Sequence, residues 1–142
     1  MFVRRAHRAA AVTFLIGAPN LDPARVTAAL GITPTQVAIP GQQLETLDGT
    51  VIHVDHVGWW ALDTTGIVKS ADPADHFRHL LEQVTPHREA ILELAQGGEV
   101  LFEVPWPPER AGEFDAECTR RAEGLGAHID FLGPREVDPL GA

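Results

Sequence analysis

The chain lacks the local signatures that commit a protein to chemistry. Its 142 residues contain no G-x-S-x-G, no P-loop, no G-x-G-x-x-G and no paired C-x-x-C, so common hydrolase, nucleotide-binding and zinc-ribbon readings have no local support. Gly97-Gly98 follows a helical stretch and precedes a strand-like one, which suits a helix C-cap and not a phosphate loop. There is one cysteine, Cys118; it forms no internal disulfide, and a lone thiol fits a reducing compartment. Basic residues are few: eleven Lys and Arg stand against 20 Asp and Glu, for a formal charge of −9. Such a surface repels nucleic-acid phosphates and anionic lipid heads, so neither nucleic acid nor membrane is an expected partner. Arg4, Arg5, His7 and Arg8 are a local exception, read as a solvated N-terminal arm.

Long apolar runs are also missing. AAAVTFLIGA is far below the roughly 18 residues of a membrane span. With MFVRRAHR before it, it mimics a signal peptide, but no convincing cleavage site follows, and a cytoplasmic protein is expected.

What is present reads as one globular domain over 1–142, with residues 1–9 and 133–142 as less ordered ends. Hydrophobic residues make up 44% and charged residues 22%, an ordinary globular composition. AVTFLI, residues 11–16, is a buried-strand run. Asp22-Pro23 supplies an N-cap and a proline at the first helical position, and Gly31 closes that helix. ITPTQVAIPGQ is extended or looped. Asp48-Gly49, between QQLETL and TVIHVDH, predicts a type I′ hairpin, and a further strand is expected near Trp59–Asp63.

Asp72-Pro73 repeats the capping chemistry before a helix whose Phe77, Leu80, Leu81 and Val84 share a face. Thr85-Pro86 restarts it over 87–95. Glu99–Val104 alternates, with Val100, Phe102 and Val104 on one side. Phe114, Cys118, Ala122 and Leu125 form the stripe of a last helix, so Cys118 is expected to be a buried, inert thiol. Ala127–Leu132 is the final strand. The repeated strand, Asp-Pro cap and helix point to a duplicated β-α-β architecture. The order predicts an α+β domain: a mostly antiparallel sheet with helices on one face, ferredoxin-like or a duplicated variant.

LGITPT at 30–35, GWWALDT at 58–64, HFRHLLEQVTPHREAILELA and LGAHIDF at 125–131 resemble, in order and spacing, the bacterial "domain of unknown function 4279" family. The ending IDFLGPREVD departs from that family's pattern. The resemblance implies a small stand-alone bacterial protein, and it implies no activity, cofactor or catalytic residue.

Candidate sites centre on HVDHVGWW, residues 53–60. In an unbroken strand His53 and Asp55 share one face while His56 points away, so the two histidines do not converge on a metal. Trp60 shares parity with Ile52, Val54 and Leu62 and is the core residue. Trp59 then faces a partner surface, and Trp106, on a proline-stiffened strand exit, is a second recognition candidate. His76 and His79, one turn apart with Asp72 and Asp75, fall on the face opposite the apolar stripe and read as solvated.

No metal or cofactor is expected. The leading expectation is a non-catalytic module that binds a protein, either a basic one, as in an immunity-type role, or a second copy through an open sheet edge. A pocket enzyme or small-ligand binder using His53, Asp55 and Trp59 is the alternative, and a metal-binding protein the third.

Overall fold

The architecture follows from one-sided strands. The computed structural model describes residues 9–41, 43–45, 47–53 and 56–133. Strand β1 (Thr13–Pro19) leads into helix α1 (Pro23–Leu30) and edge strand β2 (Gln36–Ala38); β3 (Gln43–Glu45) and β4 (Val51–His53) precede β5 (Val57–Asp63). Helix α2 (Pro73–Val84), a 3-10 turn and α3 (Arg88–Leu94) precede β6 (Glu99–Pro105); α4 (Ala116–Gly124) and β7 (Ala127–Leu132) follow.

Five strands form one sheet in the order β2-β5-β1-β6-β7, while β3 and β4 form a separate ribbon. Three of the four pairings in the large sheet are antiparallel and β6–β7 is parallel. β1 and β2 both run antiparallel to β5, and β5 and β6 both run antiparallel to β1. The chain therefore holds two interleaved β-α-β units, each with a strand of the other between its own two. Their helices start alike: Asp22 accepts from the Ala24 N–H and Asp72 from the Ala74 N–H, both at 3.0 Å, with a proline next in each. An Asp cap satisfies an amide that the first helical turn leaves without a partner, and the proline has no amide to satisfy.

Alternation puts Phe14 and Ile16, Trp60 and Leu62, and Val100, Phe102 and Val104 on the same sheet face, where they join Val26, Leu30, Phe77, Leu80, Leu81, Val84, Ile91, Cys118 and Leu125 in one core. All four helices described contribute to that face. Phe102 sits between Phe77 and Phe14, with ring centroids 4.4 and 5.0 Å away. Trp60 is fully buried, as its parity predicts, and its indole N–H donates to Thr27 Oγ1 at 3.1 Å. The apolar run after the basic arm is thus spent on the central strand.

Three expectations are corrected. The Asp48-Gly49 turn is not a two-residue type I′ turn, because Glu45 pairs with Val51 and five residues, 46–50, connect the strands. Gly49 has φ 85°, but Asp48 has no positive φ and instead accepts from the Thr50 N–H at 3.0 Å. HVDHVGWW is not one strand either: His53 ends β4 in the small ribbon, and Val57 begins β5 in the large sheet. Finally, His76 is fully buried rather than solvated.

The connection from β5 to α2 explains the last correction. Ser70 O can only accept, so His76 Nε2–H donates to it at 2.7 Å, and Nδ1 accepts from the Thr64 hydroxyl at 2.7 Å. Thr64 Oγ1 in turn accepts from the Val12 N–H at 3.0 Å. The ring is a buried latch between α2, the loop that joins β5 to it, and Val12 just before β1. Thr64→Val, which keeps the shape but leaves His76 Nδ1 and the Val12 amide without this partner, is expected to cost about 1–3 kcal/mol; urea unfolding that matches wild type would show that the latch contributes nothing.

Candidate functional site

The helices cover one face of the sheet and leave the other open. Residues of opposite parity to the core line the open face in three rows across the strands. The register aligns Asp63 with Thr13, Thr13 with Glu103 and Glu103 with Asp130, spanning β5, β1, β6 and β7. The next row is Ala61, Leu15, Leu101 and His128, and the third places Trp59 beside Gly17, which pairs in turn with Glu99. Consecutive rows are about 7 Å apart, two residues along a strand. The result is a groove of about 560 Å³ lined by Thr13, Leu15, Thr35, Gln36, Trp59, Ala61, Asp63, Thr65 and Glu103.

Its electrostatics are one-signed. Asp63 is held locally, accepting from the Thr13 hydroxyl at 3.3 Å and from the Thr65 N–H at 2.5 Å. Burial, then the nearby charges of Asp130 and Asp63, push the Glu103 carboxyl above its ordinary range. The ion pairs among the described residues are Arg78 with Asp75 and Asp115, and Arg110 with Glu113. They belong to α2, α4 and the turn before α4, so none of them neutralises the row. Like charges on neighbouring strands destabilise a sheet, and a destabilising arrangement in a groove is where function is expected to reside.

The raised Glu103 value sets a sign. The folded protein holds this proton more tightly than the unfolded chain, so the group's contribution to stability is greatest in acid and falls as pH rises from the usual carboxylate value through the raised one. Glu103→Gln should therefore stabilise the protein at pH 7 by about 0.2–1 kcal/mol, the range of a cross-strand pair. The gain should vanish in acid, below the usual carboxylate range. A variant that lowers the melting temperature at pH 7 would contradict this.

Of the residues singled out in the sequence, Trp59 alone reaches the groove. It lies half-buried on the open face, its Cβ beside Gly17 on the neighbouring strand. Trp106 is on the helix side, packed against the core: its ring meets Phe114 edge-on at 5.3 Å, its indole N–H donates to Arg110 O at 2.8 Å, and the Arg110 guanidinium lies over it. Trp59 and Trp106 thus share no surface. Asp55 lies outside the described residues. His53 is described only through its pairing with Gln43, in a different sheet from Trp59.

No cluster of three or more His, Cys, Asp or Glu among the described residues is arranged to hold a metal. Cys118 is buried, and burial followed by the Asp115 charge pushes its thiol up to about 11, so it remains a protonated core group. Asp115 is held low by the Cys118 N–H and by Arg78, as befits the N-cap of α4. Neither forms a reactive pair.

The open-face residues Leu15, Asp63, Leu101, Glu103 and Asp130 were not singled out from sequence. The period-two pattern of Glu99–Val104 does place Leu101 and Glu103 opposite the core, which is the signal available. Their meeting with Asp63 and Asp130 depends on strand register.

A sheet backed by helices on one side and carrying an acidic groove on the other defines a small α+β domain with one sheet face that its described helices leave uncovered. The chain belongs to the family described as Domain of unknown function (DUF4279), whose model matches residues 6–133. No curated protein and no solved structure matches it. No helix among the described residues is long and apolar enough to cross a membrane.

Proposed function

We propose that this protein is a non-catalytic interaction module of the cytoplasm that docks another protein on the open face of its sheet. The observation that supports this most is the half-exposed Trp59 on the same face as the half-exposed Leu15 and Leu101, a face that none of the four described helices covers. Tryptophan with a flat apolar surround and a polar rim is the composition of binding hot spots. The groove is open along the sheet, whereas small-ligand sites enclose most of their ligand's surface, and that difference favours a protein over a metabolite. The partner is a different protein: a two-fold contact of this face with itself would set two carboxylate rows against each other.

The test compares folded variants in retention of partners from the native host. Trp59→Ala and Leu101→Ser should each lose a partner that the wild type and Leu92→Ser, altered on the exposed side of α3, both retain. A partner kept by the open-face variants and lost by Leu92→Ser would move the docking surface to the helices.

A further inference from the structure

We infer that the open face receives an extended, arginine-bearing segment of a protein partner, the guanidinium seated between Glu103 and Asp130 and alternate apolar side chains crossing β6 and β1 obliquely to Trp59. This rests on the open face being the docking surface. The argument begins with the register. Glu103 and Asp130 are directly aligned on the parallel strands β6 and β7, and neighbouring strands are about 5 Å apart. A planar guanidinium with five donors can bridge two carboxylates at that spacing, which the point charge of a lysine does less well. Asp63, the third acid of the row, already accepts from Thr13 and Thr65. No ion pair among the described residues supplies the row with a cation, and a partner's guanidinium complements its charge.

The rest of the face fixes the pattern of the segment. Residues i, i+2 and i+4 of an extended chain project side chains on one side at about 7 Å intervals, the same interval as the three rows. Glu103 and Asp130 lie on β6 and β7, Leu15 and Leu101 on β1 and β6, and Trp59 and Gly17 on β5 and β1, so a segment that crosses the sheet obliquely, one strand over per row, places apolar side chains first over Leu15 and Leu101 and next over Trp59 and Gly17. Other occupants fit less well. A second copy brings its own carboxylates, and a phosphate or an anionic lipid surface meets the same repulsion. A small free amine would engage the acids and leave the apolar strip uncovered.

The probe is the blocked pentapeptide acetyl-Arg-Ser-Leu-Ser-Leu-amide, titrated into the full chain by amide NMR, with the glutamine-for-arginine and glutamate-for-arginine peptides as comparisons. Two protein variants are used: Glu103→Gln/Asp130→Asn, and Glu89→Gln/Glu93→Gln on exposed positions of α3, which removes the same net charge. The arginine peptide should shift amides of β1, β5, β6 and β7, bind at least fivefold more weakly to Glu103→Gln/Asp130→Asn, and bind the α3 variant as it binds the wild type. The glutamate peptide should not bind. Equal weakening by both variants would reduce the effect to diffuse charge and overturn the inference. A glutamine peptide that binds the open face as tightly as the arginine peptide would overturn the cation pairing while leaving the docking surface in place. If no peptide shifts the open face and the Trp59 variants retain their partners, the docking reading itself fails.

Discussion

Phe102→Ala should be among the most damaging substitutions in the chain, costing about 3–5 kcal/mol, the range for truncating a buried phenylalanine. Phe102 is fully buried and links the two aromatic neighbours that tie the sheet to α2, Phe14 and Phe77. Removing the ring strips contacts from both and leaves a hole between layers that cannot close without moving a strand. Against a total stability of about 5–15 kcal/mol for a typical domain, that loss brings the fold close to its limit. Leu101→Ala, one residue away in the same strand, should cost about 1 kcal/mol, because the Leu101 side chain lies half-exposed on the opposite face and its removal opens no internal cavity. Urea unfolding of the two variants measures the difference. Equal losses would mean that the sheet is covered on both faces, and the open groove would not exist.

The second large effect is on binding. Glu103→Lys places an ammonium in the middle of the carboxylate row, beside Asp130 and in the field of Asp63. The fold should tolerate it, since the position is only half-buried and the new charge relieves the like-charge crowding that, after burial, holds the Glu103 carboxyl high. Recognition should not. A guanidinium would lose one carboxylate and meet a cation in its place, and reversing a charge across an interface costs far more than deleting it. Affinity for the arginine pentapeptide should fall by at least tenfold with the melting temperature held or raised. A folded Glu103→Lys protein that binds as the wild type does would remove Glu103 from the interface.

Local chemistry made much of this fold readable in advance. Asp22-Pro23 and Asp72-Pro73 announce two helix starts, and the alternation of Val100, Phe102 and Val104 announces a one-sided strand. Parity alone assigns Trp60 to the core, and that assignment holds although β4 ends at His53 and β5 begins anew at Val57. The failures share a cause: each depended on what another segment does. A helical wheel gives His76 an angle, but not the loop from Thr64 to Ser70 that closes over it and satisfies both ring nitrogens. Asp48-Gly49 has the right residues for a tight turn, but pairing of Glu45 with Val51 sets a longer one.

The candidate site was legible only in Trp59. Asp63, Glu103 and Asp130 lie far apart in the chain, and nothing short of the register of β5, β1, β6 and β7 brings them into line. Trp106 carries the same residue type and a suggestive proline setting, yet its ring completes the aromatic packing of Phe114 and Phe131 on the other side. Residue type proposed both tryptophans, and sheet parity separates them.

That separation provides the most direct measurement. Each tryptophan has one indole N–H, and the three report on different places: Trp59 on the open face, Trp60 bonded to Thr27 within the core, and Trp106 bonded to Arg110 O on the helix side. Indole NMR signals, assigned by single Trp→Phe substitutions, would be followed as acetyl-Arg-Ser-Leu-Ser-Leu-amide is added to saturation. The account predicts that the Trp59 signal moves while those of Trp60 and Trp106 stay in place; movement of Trp106 with Trp59 unchanged would contradict it.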